Sequence, residues 1–256
     1  MTEQYLQPSI NLNGGGGFLV STYQDYSVNE ASVDCVMGSL VLRTSALAPG
    51  AGGFTGGGVG NKSIAAILGY ENLPLSQLLN ISFQWTNVVG PAGINYIPAE
   101  PTTTVTPYVN VLVDFDPNGA GDVRNLVLIT DQLNPDINDS VGTYVNDGNN
   151  TLTYSWNNTQ NVLIVLSPPN PTPGGVAPDV SVGASWLENS YKFSDLVAAN
   201  PDAILIAQTP DNFPNDGGLP AGALVPAILL LSGDSGTQIK QGKQILTLTI
   251  NNEELF

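Results

Sequence analysis

The stretch DFDPNGAGD, residues 114–122, concentrates oxygen-bearing side chains within a few positions of one another. Those side chains belong to Asp114, Asp116, Asn118 and Asp122. Calcium takes about six to eight oxygen ligands, mainly carboxylates and carbonyls, and a glycine such as Gly119 permits the sharp turn that brings them around one ion. These four residues are therefore the predicted metal ligands, and Ca²⁺ is the predicted cofactor.

The same stretch resembles the D-x-D-x-D-G-x-x-D loop of several calcium-binding families. An EF-hand also needs a bidentate Glu as its last ligand and a helix on each side of the loop. The position of that Glu is Asn125 here, and the flanking segments YVNVLV and VRNLVLIT have the composition of strands. The resemblance therefore implies a calcium loop between two strands and excludes an EF-hand.

A polar hairpin turn is the alternative interpretation of this stretch. Side chains alternate between the two faces of a strand. One face of the segment YVNVLVDFD carries Val109, Val111, Val113 and Phe115. The other face carries Asn110, Leu112, Asp114 and Asp116. In this interpretation Asp114 and Asp116 face solvent before the turn, and Arg124 on the return strand is their partner.

The residue types that the chain lacks limit the chemistry it can perform. It has no histidine and a single cysteine, Cys35, which excludes Ser-His-Asp and Cys-His catalysis and any intrachain disulfide. Cys35 lies in an apolar run, so a buried and unreactive thiol is expected. Paired carboxylates would still suffice for glycoside hydrolysis, but the spacing of the 22 acidic residues identifies no such pair.

The charge balance disfavours nucleic acids and membranes as partners. With 22 acidic and 6 basic side chains, the formal net charge is −16. Such a surface repels phosphate backbones and anionic lipid head groups, and it suits cation binding.

The longest apolar stretch, residues 219–231, is too short to span a bilayer and contains Pro220 and Pro226. No signal peptide is visible at the start of the chain, and an extracellular or particle-surface location is expected without one.

The pattern of apolar residues predicts an all-β fold. Glycine and proline, 28 and 19 residues, divide the chain into short segments. Runs rich in β-branched and aromatic residues lie at 18–23, 35–44, 81–88, 108–115, 123–130, 151–156, 161–167, 203–208, 223–231 and 245–250. Helical patterns are confined to 73–79 and 193–201. We therefore predict an antiparallel β-sandwich or jelly roll with one or two short helices.

A single domain spanning residues 1–256 is expected, because no clear internal repeat or boundary divides the sequence. Within it, the segment 11–60 contains the glycine-rich piece NLNGGGG and all but the last residue of a second, APGAGGFTGGGVGN. These pieces can have little side-chain packing of their own. We expect the segment to take part in contacts between subunits.

The three tryptophans, Trp85, Trp156 and Trp186, fall on or beside predicted strands. Burial in the core is one interpretation of these residues. The other is a carbohydrate-binding face, because an aromatic ring matches the apolar face of a sugar. Trp156 is the best candidate for such a face, since it ends an alternating strand and polar residues follow it.

These observations favour a non-enzymatic structural protein that assembles with copies of itself, such as a component of a virion, an appendage or an extracellular filament. An exposed strand at the edge of a sheet would pair with the next copy. The alternative is a lectin-like β-sandwich module that binds glycans, an architectural analogy without a motif. A polysaccharide-active enzyme with paired carboxylates is the third hypothesis.

Overall fold

The structure, a computed structural model, describes most of the predicted strands and leaves out several long connections. It describes residues 23–25, 32–36, 39–44, 63–87, 107–119, 123–128, 141–146, 151–165, 175–176, 180–181, 189–206, 227–232 and 241–255. The predicted site residues Asp122 and Trp186 lie outside this set, as does most of the glycine-rich segment 11–60. Cys35 and Arg124 lie in strands, but their side chains are outside the described set.

The first sheet, sheet A, has nine described strands, and all of its pairings are antiparallel. Its order is β1-β4-β14-β6-β7-β10-β12-β11, and β13 pairs with β6 beyond the end of β14. The strands are β1 (Tyr23–Asp25), β4 (Ser63–Ile67), β6 (Tyr108–Asp114), β7 (Val123–Leu128), β10 (Asn161–Val165), β11 (Val180–Ser181), β12 (Asn189–Lys192), β13 (Ile204–Leu205) and β14 (Ile228–Ser232).

The second sheet, sheet B, has seven described strands and is also antiparallel. Its order is β2-β3-β15-β5-β9-β8, with β16 paired to the end of β15. The strands are β2 (Ser32–Val36), β3 (Ser39–Thr44), β5 (Asn80–Asn87), β8 (Thr143–Asn146), β9 (Thr151–Asn157), β15 (Gln241–Ile250) and β16 (Glu253–Glu254). β15 has a register shift against β5 between Ile245 and Thr247.

One hydrophobic core lies between the two sheets. Alternation along each strand supplies it, because every second side chain of a strand points to the same face. β9 shows this directly: Leu152, Tyr154 and Trp156 are buried, whereas the residues between them are half-buried or exposed. Side chains of both sheets belong to a single buried cluster. The predicted antiparallel β-sandwich is confirmed, and the jelly-roll form of it stays a prediction.

Sheet A is buried on its second face as well. Six apolar residues that point away from the core between the sheets are fully buried, namely Ile64, Ala66, Leu112, Leu163, Leu229 and Leu231. Strands that are buried on both faces have nearly continuous apolar sequences instead of alternating ones. This burial on both faces explains why β14 has four consecutive apolar residues, Ile228 to Leu231, instead of an alternating sequence.

Among the described residues, no helix is long and apolar enough to cross a membrane.

Two short helices close the core at the positions that the sequence predicts. A 3-10 helix spans Leu75–Gln77, and helix α1 spans Phe193–Ala199. Leu75 of the first and Phe193 and Leu196 of the second are buried in the core cluster. Each helix is thus held by apolar side chains that face the sandwich, since helices this short are marginal alone.

Candidate functional site

The turn between β6 and β7 is tightly built from its own polar groups. The backbone N–H of Gly119 donates to the carbonyl oxygen of Asp116 at 3.0 Å, which closes a β-turn with Pro117 and Asn118 at its centre. Proline favours the second position of such a turn because its φ angle is already set. The backbone N–H of Asp116 donates to Oδ1 of Asp114, also at 3.0 Å. The Asp114 carboxylate therefore helps to shape the turn.

The structure corrects the expectation that Asp114 faces solvent. Asp114 is only 6% exposed, and it shares its face of β6 with the buried Asn110 and Leu112. The sequence prediction was wrong because it assumed that this face of the strand meets water, whereas sheet A is buried on both faces. Asp116 is exposed, as the hairpin interpretation predicts, and Asn118 is exposed as well.

Three of the four predicted calcium ligands lie at the end of β6 and on this turn, and the fourth, Asp122, lies outside the described residues. The carboxylate of Asp116 folds back against Gly119, so closely that a Cβ at Gly119 would collide with it. Within the part of the chain that the structure describes, no group of three or more histidine, cysteine or acidic residues is placed to hold a metal ion. A calcium ion here would need further oxygen ligands beyond these three residues.

Two of the three tryptophans do not form a carbohydrate-binding face. Trp85 and Trp156 are buried in the core, so neither ring is open to a sugar, and that interpretation is wrong for both. The indole N–H of Trp156 donates to the carbonyl oxygen of Asn161 at 2.8 Å, and its ring meets Phe193 edge-on with centroids 5.0 Å apart. Trp186, the third candidate, lies outside the described residues.

A buried lysine on β15 was not predicted from the sequence. Lys243 is 1% exposed and lies on the same face of its strand as Ile245, which belongs to the core. Its register partner on β3 is Leu42, another core residue. Burial lowers the pKa of Lys243 from 10.5 to about 8, because the charged form loses its hydration. The sequence feature that could have predicted this burial is strand alternation, because Lys243 lies two residues before Ile245 and therefore shares its face.

A pair of asparagines ties the β15–β16 hairpin to the start of β5. Asn251 and Asn252 have positive φ angles of 53° and 65°, which asparagine tolerates better than most residues. The side chain of Asn251 accepts from the backbone N–H of Leu79 at 2.7 Å and donates to the carbonyl oxygen of Gln77 at 2.9 Å. The side-chain amide of Asn80 donates to Oδ1 of Asn252 at 2.9 Å, and the backbone N–H of Asn252 donates to Oδ1 of Asn80 at 3.1 Å.

The outer face of sheet B carries no charged side chain among the described residues of β5, β8, β9 and β15, and Arg43 on β3 and Glu254 on β16 border this area. We call it the hydroxyl face, and its half-buried or exposed residues are Ser82, Gln84, Thr86, Thr143, Val145, Thr151, Thr153, Ser155, Gln244, Thr247 and Thr249. The strand register aligns them in rows that cross the sheet. One such row is Val145, Thr153, Gln84 and Thr247.

The chain matches no protein-family model, no curated protein and no solved structure.

Proposed function

We propose that this protein is a non-enzymatic structural component that assembles with copies of itself, as in a virion, an appendage or an extracellular filament. The observation that carries the proposal is the edge of sheet B at β8. This strand pairs with β9 on one side, and no other described strand pairs with its opposite edge. Val145 on β8 is 54% exposed, the most exposed large hydrophobic residue that the structure describes.

An open edge of this kind favours pairing with another chain. It presents backbone N–H and C=O groups that a second strand can satisfy, and proteins usually block such edges with lysine, proline or a bulge. The β8 sequence, TYVN, contains neither lysine nor proline. Addition of a strand from a second copy would extend sheet B and would cover Val145.

The assembly is tested by measuring the molar mass of the full chain by size-exclusion chromatography with light scattering over a concentration series. We expect oligomers that grow with concentration, and we expect Val145→Lys to reduce them strongly because a lysine at an edge opposes strand pairing. A matched control is Leu79→Lys, since Leu79 is 41% exposed and lies away from β8. A wild-type chain that stays monomeric at every concentration would overturn the proposal.

We also propose that Ca²⁺ stabilises the β6–β7 turn of each subunit. Support comes from the exposed Asp116 and Asn118 on one tight turn, and from the Asp114 carboxylate, which accepts a hydrogen bond from the backbone N–H of Asp116 where β6 ends. Carboxylates that bind metals are commonly held by hydrogen bonds of their own, as Asp114 is. The remaining ligands would come from water, from backbone carbonyls or from another loop.

A further inference from the structure

The hydroxyl face differs from the rest of this acidic chain because it carries no charge among its described residues. Its side chains are serine, threonine, glutamine and one valine. The chain as a whole has a formal charge of −16. Two copies therefore repel each other over most orientations, and a surface without charge is where that repulsion is weakest at short range.

Three of the polar side chains on this face keep hydrogen-bonding groups for a partner. The side chains of Gln84, Thr153 and Ser155 make no hydrogen bond within the part of the chain that the structure describes. A hydroxyl group both donates and accepts a hydrogen bond, and so does an amide group. A face built from such groups is complementary to itself, which is the requirement for a two-fold symmetric contact.

Other occupants fit the face less well. The aromatic side chains of β5 and β9 that the structure describes, such as Trp85 and Tyr154, point into the core, so the face offers no ring for stacking on a sugar. The described residues of the face include no basic group for a phosphate backbone. The partner that matches its chemistry is the same face on another copy.

We propose that the hydroxyl face pairs with the hydroxyl face of a second copy in a two-fold symmetric contact. This inference rests on the proposed assembly and names a second surface for it. Edge pairing at β8 would extend sheet B within its own plane, whereas face pairing would stack two sheets. Together the two contacts would let the assembly grow in two directions.

The test places opposite charges at the centre of the face. Thr153 lies on β9 between Gln84 and Val145, so we compare Thr153→Glu with Thr153→Lys. Each variant alone should associate roughly tenfold more weakly or worse, because like charges then meet across the contact. An equimolar mixture of the two variants should recover association, measured by light scattering and sedimentation velocity.

Matched controls separate the face from the general effect of charge. Ser76 is exposed on the 3-10 helix, away from the face, so Ser76→Glu and Ser76→Lys should associate as the wild type does. Ser155→Glu and Ser155→Lys provide a second pair on the face at an exposed position. This pair should behave like the Thr153 pair, even if the half-buried Thr153 does not tolerate a charge in the fold.

The outcomes separate this inference from the proposed function. If the wild type assembles but the Thr153 and Ser155 variants assemble as well as it does, face pairing is overturned and the homomeric assembly stands. If the single variants weaken association but their mixtures do not recover it, the self-complementary contact is also overturned. If the wild type never assembles, both proposals fail.

Discussion

The phenol group of Tyr154 on β9 donates a hydrogen bond to the carbonyl oxygen of Val141 at 2.8 Å. This bond fixes the chain just before it enters the edge strand β8. The ring of Tyr154 also lies over Gly142, where an added Cβ would come within 2.5 Å of a ring carbon. A core aromatic residue therefore determines where the open edge of sheet B begins.

Removal of this hydroxyl should destabilise the protein. Tyr154→Phe leaves the buried carbonyl of Val141 without its donor, and we expect a loss of about 1 kcal/mol in the free energy of unfolding. Urea unfolding measures the loss. The control is Tyr70→Phe, because the half-buried Tyr70 hydroxyl has no hydrogen-bond partner among the described residues. Equal losses for the two variants would contradict the role given to the bond with Val141.

A methyl group at Gly142 should cost more than one at Gly119. At Gly142 the new Cβ meets the ring of Tyr154, which the core holds in place. At Gly119 it meets the carboxylate of Asp116, the end of an exposed and flexible side chain. We expect Gly142→Ala to lose about 1–3 kcal/mol, as for overpacked positions, and Gly119→Ala to lose clearly less. Thermal melting of both variants compares them, and a reversed order would show that the Tyr154 ring moves easily.

The stability of the protein should rise with pH above about pH 8 because of Lys243. Its pKa is lowered from 10.5 to about 8 in the folded state, so between these values the unfolded chain binds more protons than the folded chain. Stability then increases with pH across that window. The full gain is on the order of 3 kcal/mol.

Substitution of Lys243 isolates this effect. Lys243→Met removes the titrating group, so we expect the variant to show a flatter dependence of unfolding free energy on pH than the wild type between pH 8 and 10.5. Lys192 is exposed on β12, and Lys192→Met is the control that should keep the wild-type slope. Parallel curves for the wild type and Lys243→Met would refute the assignment.

The side chain of Asn251 should contribute to stability through its two hydrogen bonds. Asn251→Gly keeps a residue that accepts a positive φ angle but loses the bonds to Leu79 and Gln77. We expect a loss of about 1–2 kcal/mol in chemical unfolding. Asn72 has a similar φ of 67° and no side-chain hydrogen bond within the described residues. Asn72→Gly should therefore be nearly neutral, and an equal loss there would point to backbone entropy instead.

Calcium should raise the melting temperature if the β6–β7 turn binds it. A ligand that binds only the folded state stabilises it in proportion to the logarithm of its concentration. We expect millimolar Ca²⁺ to raise the melting temperature, EDTA to reverse the rise, and Asp116→Asn to abolish it. Asp202 is an exposed carboxylate elsewhere, so Asp202→Asn should keep the response. A wild-type melting curve that neither Ca²⁺ nor EDTA shifts would rule out the metal site.

The β-sandwich can be predicted from the sequence, because the alternation of apolar residues specifies which side chains of a strand share a face. Val109, Val111 and Val113 lie in the core as that alternation predicts. The pattern of apolar residues also predicts where the two helices lie, since the apolar positions of residues 73–79 and 193–201 do not alternate. These are local patterns, and they hold whatever the neighbouring strands are.

The exposure of each strand face depends on how the layers pack. Asp114 is buried because sheet A is covered on both faces, and Lys243 is buried because its strand lies in the middle of sheet B, between β3 and β5. Trp85 and Trp156 are core residues because they lie on the face of sheet B that packs against sheet A. Strand alternation states that two residues lie on the same side of a strand, but only the packing of the other layers determines whether that side is exposed.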